Sequence, residues 1–181
     1  SSVEDLLRKA EEVVRRAEEK SRDSHEKTKD VLRKVKRKSE ELNKHNRESI
    51  KKVEEVRRRT DDKRVLEKVL EDIERNSRDA VRKHKRVLEE LREVVRRSEE
   101  TNRKILKEVR RVVEEVIRRL REEGAPEEVL KTIEDLLRKL ERKVRETIET
   151  DRRLLRKVEE ELKRSIEDSR RLVDELKKRV T

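Results

Sequence analysis

His84, Ser98 and Asp151 are the side-chain types of a nucleophilic triad: an imidazole to take a proton, a hydroxyl to attack, and a carboxylate to orient the ring. Spacing decides against that chemistry. On one continuous helix His84 and Ser98 lie ~21 Å apart along the axis, whereas proton transfer needs about 3 Å. The three histidines, His25, His45 and His84, are the other reactive set. Zinc takes its ligands at about 2.0 to 2.1 Å, and on two helices folded back on each other even the closest pair of these rings stands ~10 Å apart axially. Glu41 and His45 share a helical face at i, i+4, but two ligands are too few to hold a metal ion. His84 therefore reads as a member of a polar core. Its titration would make that core pH-sensitive, because protonation turns an acceptor nitrogen into a donor. No catalytic residue, metal site or cofactor is expected.

Phosphate binding is the remaining chemistry to weigh. The run Arg33-Lys34-Val35-Lys36-Arg37-Lys38, a net charge of +11 and a pI near 9.9 would attract nucleic acid loosely and in a salt-dependent way. Carboxylates are interspersed almost everywhere else, and the chain has no aromatic residue and a single glycine. Without a stacking platform or a Gly-rich reader, specific nucleic-acid recognition is not expected. The absence of Cys removes disulfide and thiol chemistry as well.

The elements that carry these residues follow from composition and period. Charged residues make up 57% of the 181 and apolar ones 29%, a balance found in long helices and coiled coils rather than in ordinary globular domains. No apolar run exceeds two residues, so no membrane span is expected, and no membrane-surface role is expected because the apolar stripe is needed for the core and carries no Trp or Phe. The apolar and small residues instead recur every three or four positions. One stripe passes through Leu7, Ala10, Val14, Ala17, Leu32, Val35, Leu42, Val53 and Val56; a second through Leu66, Leu70, Ile73, Leu91, Ile105, Val109 and Val116; a third through Leu130, Ile133, Leu137, Leu140, Val144, Val158 and Leu176. The mean step is close to the ~3.5 residues of a left-handed coiled coil. Apolar neighbours such as Leu6, Val13, Val95 and Val113 widen each stripe to a bundle-type face.

The breaks are few. Gly124 suits the left-handed residue after a helix end, and Pro126 suits the first position of the next helix. At Thr60-Asp61-Asp62, either aspartate can cap a starting helix, while Arg57, Arg58 and Arg59 complement the end of the finishing one. Ser2 with Asp5 has capping-box spacing. These signals predict an all-α chain with helices over about 2–59, 63–122 and 127–180, forming a single elongated helical-bundle domain over 1–181. Short loops between long helices require an antiparallel, up-down-up, coiled-coil-like bundle.

If the first two helices fold back at Thr60, facing residues have numbers adding to about 122. Ser21 with Thr101, Ser24 with Ser98, Asn46 with Asn76 and His45 with Ser77 do so, and Ser39 with His84 adds to 123. Across the Gly124 loop the figure is 249, met by Ser98 with Asp151 and by His84 with Ser165. The polar residues thus gather at two heights of an otherwise Leu/Ile/Val core. One layer holds Ser21, Ser24, Thr28, Ser98, Thr101, Asn102, Thr147 and Asp151; the other holds Ser39, Asn43, Asn46, Ser49, Asn76, Ser77, His84, Ser165 and Ser169. A buried polar group without a partner costs roughly 1 to 3 kcal/mol, so these residues are expected to bond one another across helices, with Asn76 the favoured partner of Asn46. Apolar stripes slide at little cost. Donors and acceptors meet in one register only.

Helices of near-equal length, the Gly124-Ala125-Pro126 loop, surfaces such as Glu134-Asp135-Leu136-Leu137-Arg138-Lys139-Leu140 and the Ser/Thr/Asn/His/Asp layers together resemble de novo designed helical bundles with buried hydrogen-bond networks. That resemblance extends over the whole chain. It implies a structural scaffold with no natural activity and no native compartment, soluble in the cytoplasm of an expression host. As a monomer such a scaffold needs no partner. Members of the class also serve as homo-oligomers or as three-helix components that pair with a further helix. An uneven apolar content, 20 residues in the second helix against 14 and 17 in the others, leans toward that second use. The middle helix of an open array touches both neighbours.

Overall fold

The computed structural model describes residues 2–180, and among them it has three α-helices and no strand. They are α1 (Val3–Arg59), α2 (Lys63–Glu122) and α3 (Glu127–Val180). No helix among the described residues is long and apolar enough to cross a membrane.

Each boundary has a local cause. Ser2 Oγ accepts the Asp5 backbone N–H at 3.2 Å, which satisfies one of the free donors at the start of α1. Between α1 and α2, Asp62 Oδ1 accepts the Arg64 N–H at 3.0 Å, so Asp62 rather than Asp61 is the cap. Thr60 Oγ1 accepts the Asp62 N–H at 3.1 Å and sets the turn ahead of it. After α2, the Ala125 N–H reaches the Leu120 carbonyl at 2.9 Å and the Gly124 N–H reaches that of Arg121 at 3.1 Å, the paired bonds of a Schellman end. Gly124 has the positive φ of 71° that this end requires. Pro126 lies one residue ahead of α3 rather than inside it, and its carbonyl accepts the Val129 N–H at 3.1 Å.

Gly124 offers a clean test of the loop. A Cβ built there meets nothing within 4 Å, so Gly124→Ala costs only the left-handed conformation. That penalty is about 1 kcal/mol. It is expected as a lowered denaturant midpoint with an unchanged m-value.

By its internal contacts the chain divides into two compact units, each taking a segment from all three helices. The first comprises the N-terminal part through Lys29 with Glu93–Leu154. Its core joins Leu6, Ala10, Val14 and Ala17 of α1 to Val109, Val113, Val116 and Leu120 of α2 and to Leu130, Ile133, Leu140 and Val144 of α3. The second comprises Asp30–Arg92 with Leu155 onward. There Val53 of α1, Leu66, Leu70 and Ile73 of α2, and Leu176 and Val180 of α3 cluster together. Burying such a side chain contributes roughly 1.5 to 3 kcal/mol, so these seams are the main stabilising term.

Ion pairs across the helices record their directions. In the second unit Lys34 of α1 meets Glu90 of α2 at 3.5 Å, and α2 meets α3 through Arg92–Glu159 at 2.9 Å and Glu74–Lys177 at 3.1 Å. Rising numbers on one helix pair with falling numbers on the next, as antiparallel neighbours require. In the first unit Lys143 of α3 meets Glu18 of α1 at 3.4 Å, and the two residues are 125 apart in sequence; His25 and Asp151 are 126 apart. That near-constant offset makes α1 and α3 parallel. The exposed pairs contribute about 0 to 1 kcal/mol each. Val65, at 42%, is the exposed large hydrophobic residue among those described.

Candidate functional site

The two polar layers fall one in each unit. In the first unit, α1 supplies Ser24, His25 and Thr28, α2 supplies Ser98 and Asn102, and α3 supplies Asp151. Their hydroxyls and rings form a directional chain. Ser24 Oγ donates to Ser98 Oγ at 2.6 Å, Ser98 Oγ donates to Asp151 Oδ2 at 3.5 Å, and His25 Nδ1 lies 2.6 Å from Asp151 Oδ1. A carboxylate only accepts, so the His25 proton sits on Nδ1. Asn102, fully buried, donates to the Ser98 carbonyl at 2.8 Å and to its hydroxyl at 3.4 Å. Burial pushes the Asp151 carboxyl above its ordinary value of 3.8, and the hydrogen bonds from His25 and Ser98 pull it back.

In the second unit, Ser39 Oγ of α1 and His84 Nε2 of α2 are 2.8 Å apart. His45 Nε2 stands 3.1 Å from Ser77 Oγ and 3.4 Å from Ser49 Oγ, while Ser49 donates to the His45 carbonyl at 2.8 Å. Ser165 and Ser169 are buried on α3. His84 is fully enclosed. Desolvation pushes its proton affinity below the ordinary 6.5, with Lys38 adding to the shift and Glu41 opposing it.

Not every expected layer residue points inward. Asn43, Asn76 and Thr101 are exposed, and the reason is the ~100° that each residue turns about a helix axis. Leu42 takes the inward position next to Asn43, Ser77 next to Asn76, and Asn102 next to Thr101. Asn76 therefore does not pair with Asn46, which is half-buried and leaves its Oδ1 without a partner. Other hydroxyls serve their own helix. Thr28 donates to the Ser24 carbonyl at 3.3 Å and Thr147, half-buried, to the Lys143 carbonyl at 3.0 Å. Ser21 is buried beside the first chain of bonds. Two residues of these clusters, His25 and His45, lie outside the set expected from the stripes. His45 with Ser77 carries the constant number total of facing positions, so a signal for it existed. His25 sits one residue off the stripe, where only the reach of an imidazole brings it to Asp151.

Asn46→Leu is accordingly expected to be neutral, or to stabilise by about 1 kcal/mol, because no hydrogen bond is lost from the buried Oδ1. Urea unfolding of the two proteins checks it; a loss above that size would reveal a partner for Asn46.

His84 makes a pH prediction whose sign is fixed by burial. Above the ordinary 6.5 the ring is neutral both folded and unfolded, and stability is flat. Below it the unfolded chain binds a proton that the folded chain refuses, so stability falls with falling pH until the lower folded pKa is reached. The slope is at most about 1.4 kcal/mol per pH unit. Denaturant midpoints of wild type and His84→Leu between about pH 7 and 5 isolate the contribution, which the variant should lack.

As to chemistry, Ser98 and Asp151 meet in the first unit, whereas His84 belongs to the second and is bonded to Ser39. No group of three His, Cys, Asp or Glu side chains among the described residues is placed to hold a metal ion. Within the basic run, Arg33 pairs with Asp30, Lys34 with Glu90 and Lys38 with Glu41.

No family model matches the chain, and no curated protein matches it. Among solved structures, a "Computationally designed three helix bundle" is similar over 98% of this chain and 90% of that one, at 18% sequence identity and a TM-score of 0.47. At that level of similarity the fold rests on this chain's own helices and their directions, and it is a three-helix bundle.

Proposed function

We infer that the chain is a de novo designed structural scaffold, a helical bundle whose register is specified by buried hydrogen-bond networks and which has no natural biochemical activity. The chain of bonds from Ser24 through Ser98 to Asp151 and His25 carries this reading. It links all three helices at one height of an apolar seam, where an aliphatic layer would add more stability. Replacing such a layer by apolar residues costs nothing in burial, so its use lies in excluding shifted pairings. The helix-filling composition supports the same origin: a near-absence of glycine, side-chain caps at the starts of α1 and α2 and Glu/Lys/Arg surfaces are the devices of an idealised sequence.

The scaffold acts as a monomer in this reading, because large apolar side chains other than Val65 are at least half-buried among the described residues. The second use, a three-helix component that pairs with a further helix or with its own copies, needs an apolar face to present. Light scattering on the purified chain separates the two. A mass near 22.1 kDa at high concentration, with no binding of an apolar-surface dye, is the expected result. A larger mass would transfer the function to assembly.

A further inference from the structure

The second unit carries most of the chain's net charge of +11, and the surplus is unevenly placed around its helices. Along α1, Arg37, Lys44, Lys51 and Arg58 recur every seven residues; along α3, Lys157, Arg164, Arg171 and Lys178 do the same. All of them are exposed. Seven residues return a side chain to nearly the same face and advance it by ~10.5 Å, so each row is a straight cationic ladder about 30 Å long. Arg37 and Lys44 lie two residues, ~200°, past the buried Val35 and Leu42, and Arg164 lies as far past the buried Leu162, so the ladders run along the outer crests of α1 and α3. Lys34 and Glu159 mark the edges of those helices that meet α2, through Glu90 and Arg92. Lys36, ~200° around α1 from Lys34, is therefore on the edge toward α3, and Arg47 joins it there. Glu40 and Glu54 of α1 and Glu161, Asp168 and Glu175 of α3 share this face, and its cations outnumber them. Among the described residues no acid pairs with Arg37, Lys51, Arg58, Lys157, Arg164 or Arg171, and Lys44 reaches Glu48 only at 3.9 Å.

We propose that the α1–α3 face of the second unit binds an extended, linear sulfated polysaccharide, laid along the two ladders. Charge complementarity supplies the attraction, and the shape of the ladders selects the polyanion. They are straight, and because α1 and α3 are parallel they rise together. A nucleic-acid duplex turns once in about 34 to 36 Å, so each phosphate row leaves a straight ladder within part of a turn. An extended chain with sulfates on successive sugars follows it throughout. Single-stranded nucleic acid takes much of its affinity from bases stacked on aromatic side chains, and this chain has none. The contacts are exposed and individually weak, so binding is the sum of many of them and falls steeply with salt.

The test is fluorescence anisotropy of a labelled heparin oligosaccharide, long enough to span a ladder, titrated with the whole chain at about 0.1 M salt. Replacing Lys51, Arg58, Arg164 and Arg171 together by Gln should weaken binding at least about tenfold, a small factor for each contact removed. Replacing Lys104, Arg111, Lys131 and Lys139 by Gln takes the same charge from exposed positions of the first unit, and should change the affinity less than about threefold. Glutamine suits exposed helix positions, so both variants should keep the wild-type helicity and denaturant midpoint. Equal losses in the two variants, or none in the first, would show attraction by net charge alone and overturn the site. Tighter binding of a DNA duplex of matched length at the same salt would overturn the choice of polysaccharide.

Discussion

Ile133→Ala is expected to lower the unfolding free energy by about 2 to 5 kcal/mol, the range for deleting a fully enclosed aliphatic side chain. Ile133 has no exposed surface and belongs to the cluster that joins Leu6 and Val14 of α1, Val113 and Leu120 of α2 and its own neighbours Leu130 and Leu140. The loss has two parts. The removed methylenes forfeit their transfer free energy, and the space they leave deprives the lining atoms of dispersion contacts. The cluster draws residues from all three helices, so closing that space would shift a seam that the helices share. Val65→Ala is the matched control. Its side chain is 42% exposed, so truncation there should stay within about 0.5 kcal/mol. Guanidinium unfolding of both variants measures the contrast, and comparable losses at the two positions would contradict the assignment of the core.

The second large effect belongs to Ser98. Its hydroxyl is the junction of the first polar layer, accepting from Ser24 at 2.6 Å and Asn102 at 3.4 Å and donating to Asp151 at 3.5 Å. Ser98→Ala removes one oxygen and unpairs its neighbours around a buried carboxylate. Each stranded group costs its desolvation, so the expected loss is roughly 1 to 3 kcal/mol. Thr101→Ala, three residues along the same helix, should be nearly silent because Thr101 is exposed. The retained bond from Asn102 to the Ser98 backbone carbonyl limits the damage to the side-chain contacts. A silent Ser98→Ala would mean that these bonds do not stabilise the folded chain.

The helices were legible because every relevant signal agreed. A period of three to four ran without interruption between Gly124-Pro126 and the Thr60 turn, and Asp62, Ser2 and Gly124 are residue types with one strong local use each. The pairing of Ser24 with Ser98, Ser39 with His84 and Ser98 with Asp151 was legible for a related reason: a short loop fixes the number total of facing positions. Orientation at the edge of a stripe was not. Asn43, Asn76 and Thr101 each sit one residue from an inward position, and ~100° of rotation sends them to water. Thr28 and Thr147 spend their hydroxyls on carbonyls four residues back, a local bond that number totals cannot reveal. His25 was hidden because side-chain reach, rather than helix phase, brings it to Asp151. The division into two compact units carries no mark in the sequence, since Lys29, Arg92 and Leu154 lie inside unbroken helical patterns.

The claim that polar contacts set the register can be measured within the second unit. A slip of one heptad between α1 and α2 moves the Thr60 turn by only about three or four residues, so the apolar stripes oppose it weakly. The chain has no cysteine, and Lys34 and Glu90, whose side chains meet at 3.5 Å, can be replaced by cysteines that carry nitroxide labels. The decisive measurement is the spin-label distance distribution in this chain and in one that also carries Ser39→Ala, His45→Leu, Ser77→Ala and His84→Leu. With the polar residues present, a single narrow peak is expected. Without them, a second population displaced by an axial slip of about 10 Å should appear, in a protein at least as stable as before. The same single peak in the apolar variant would show that the loops and the hydrophobic seam set the register unaided, and it would contradict the claim that the buried hydrogen bonds specify it.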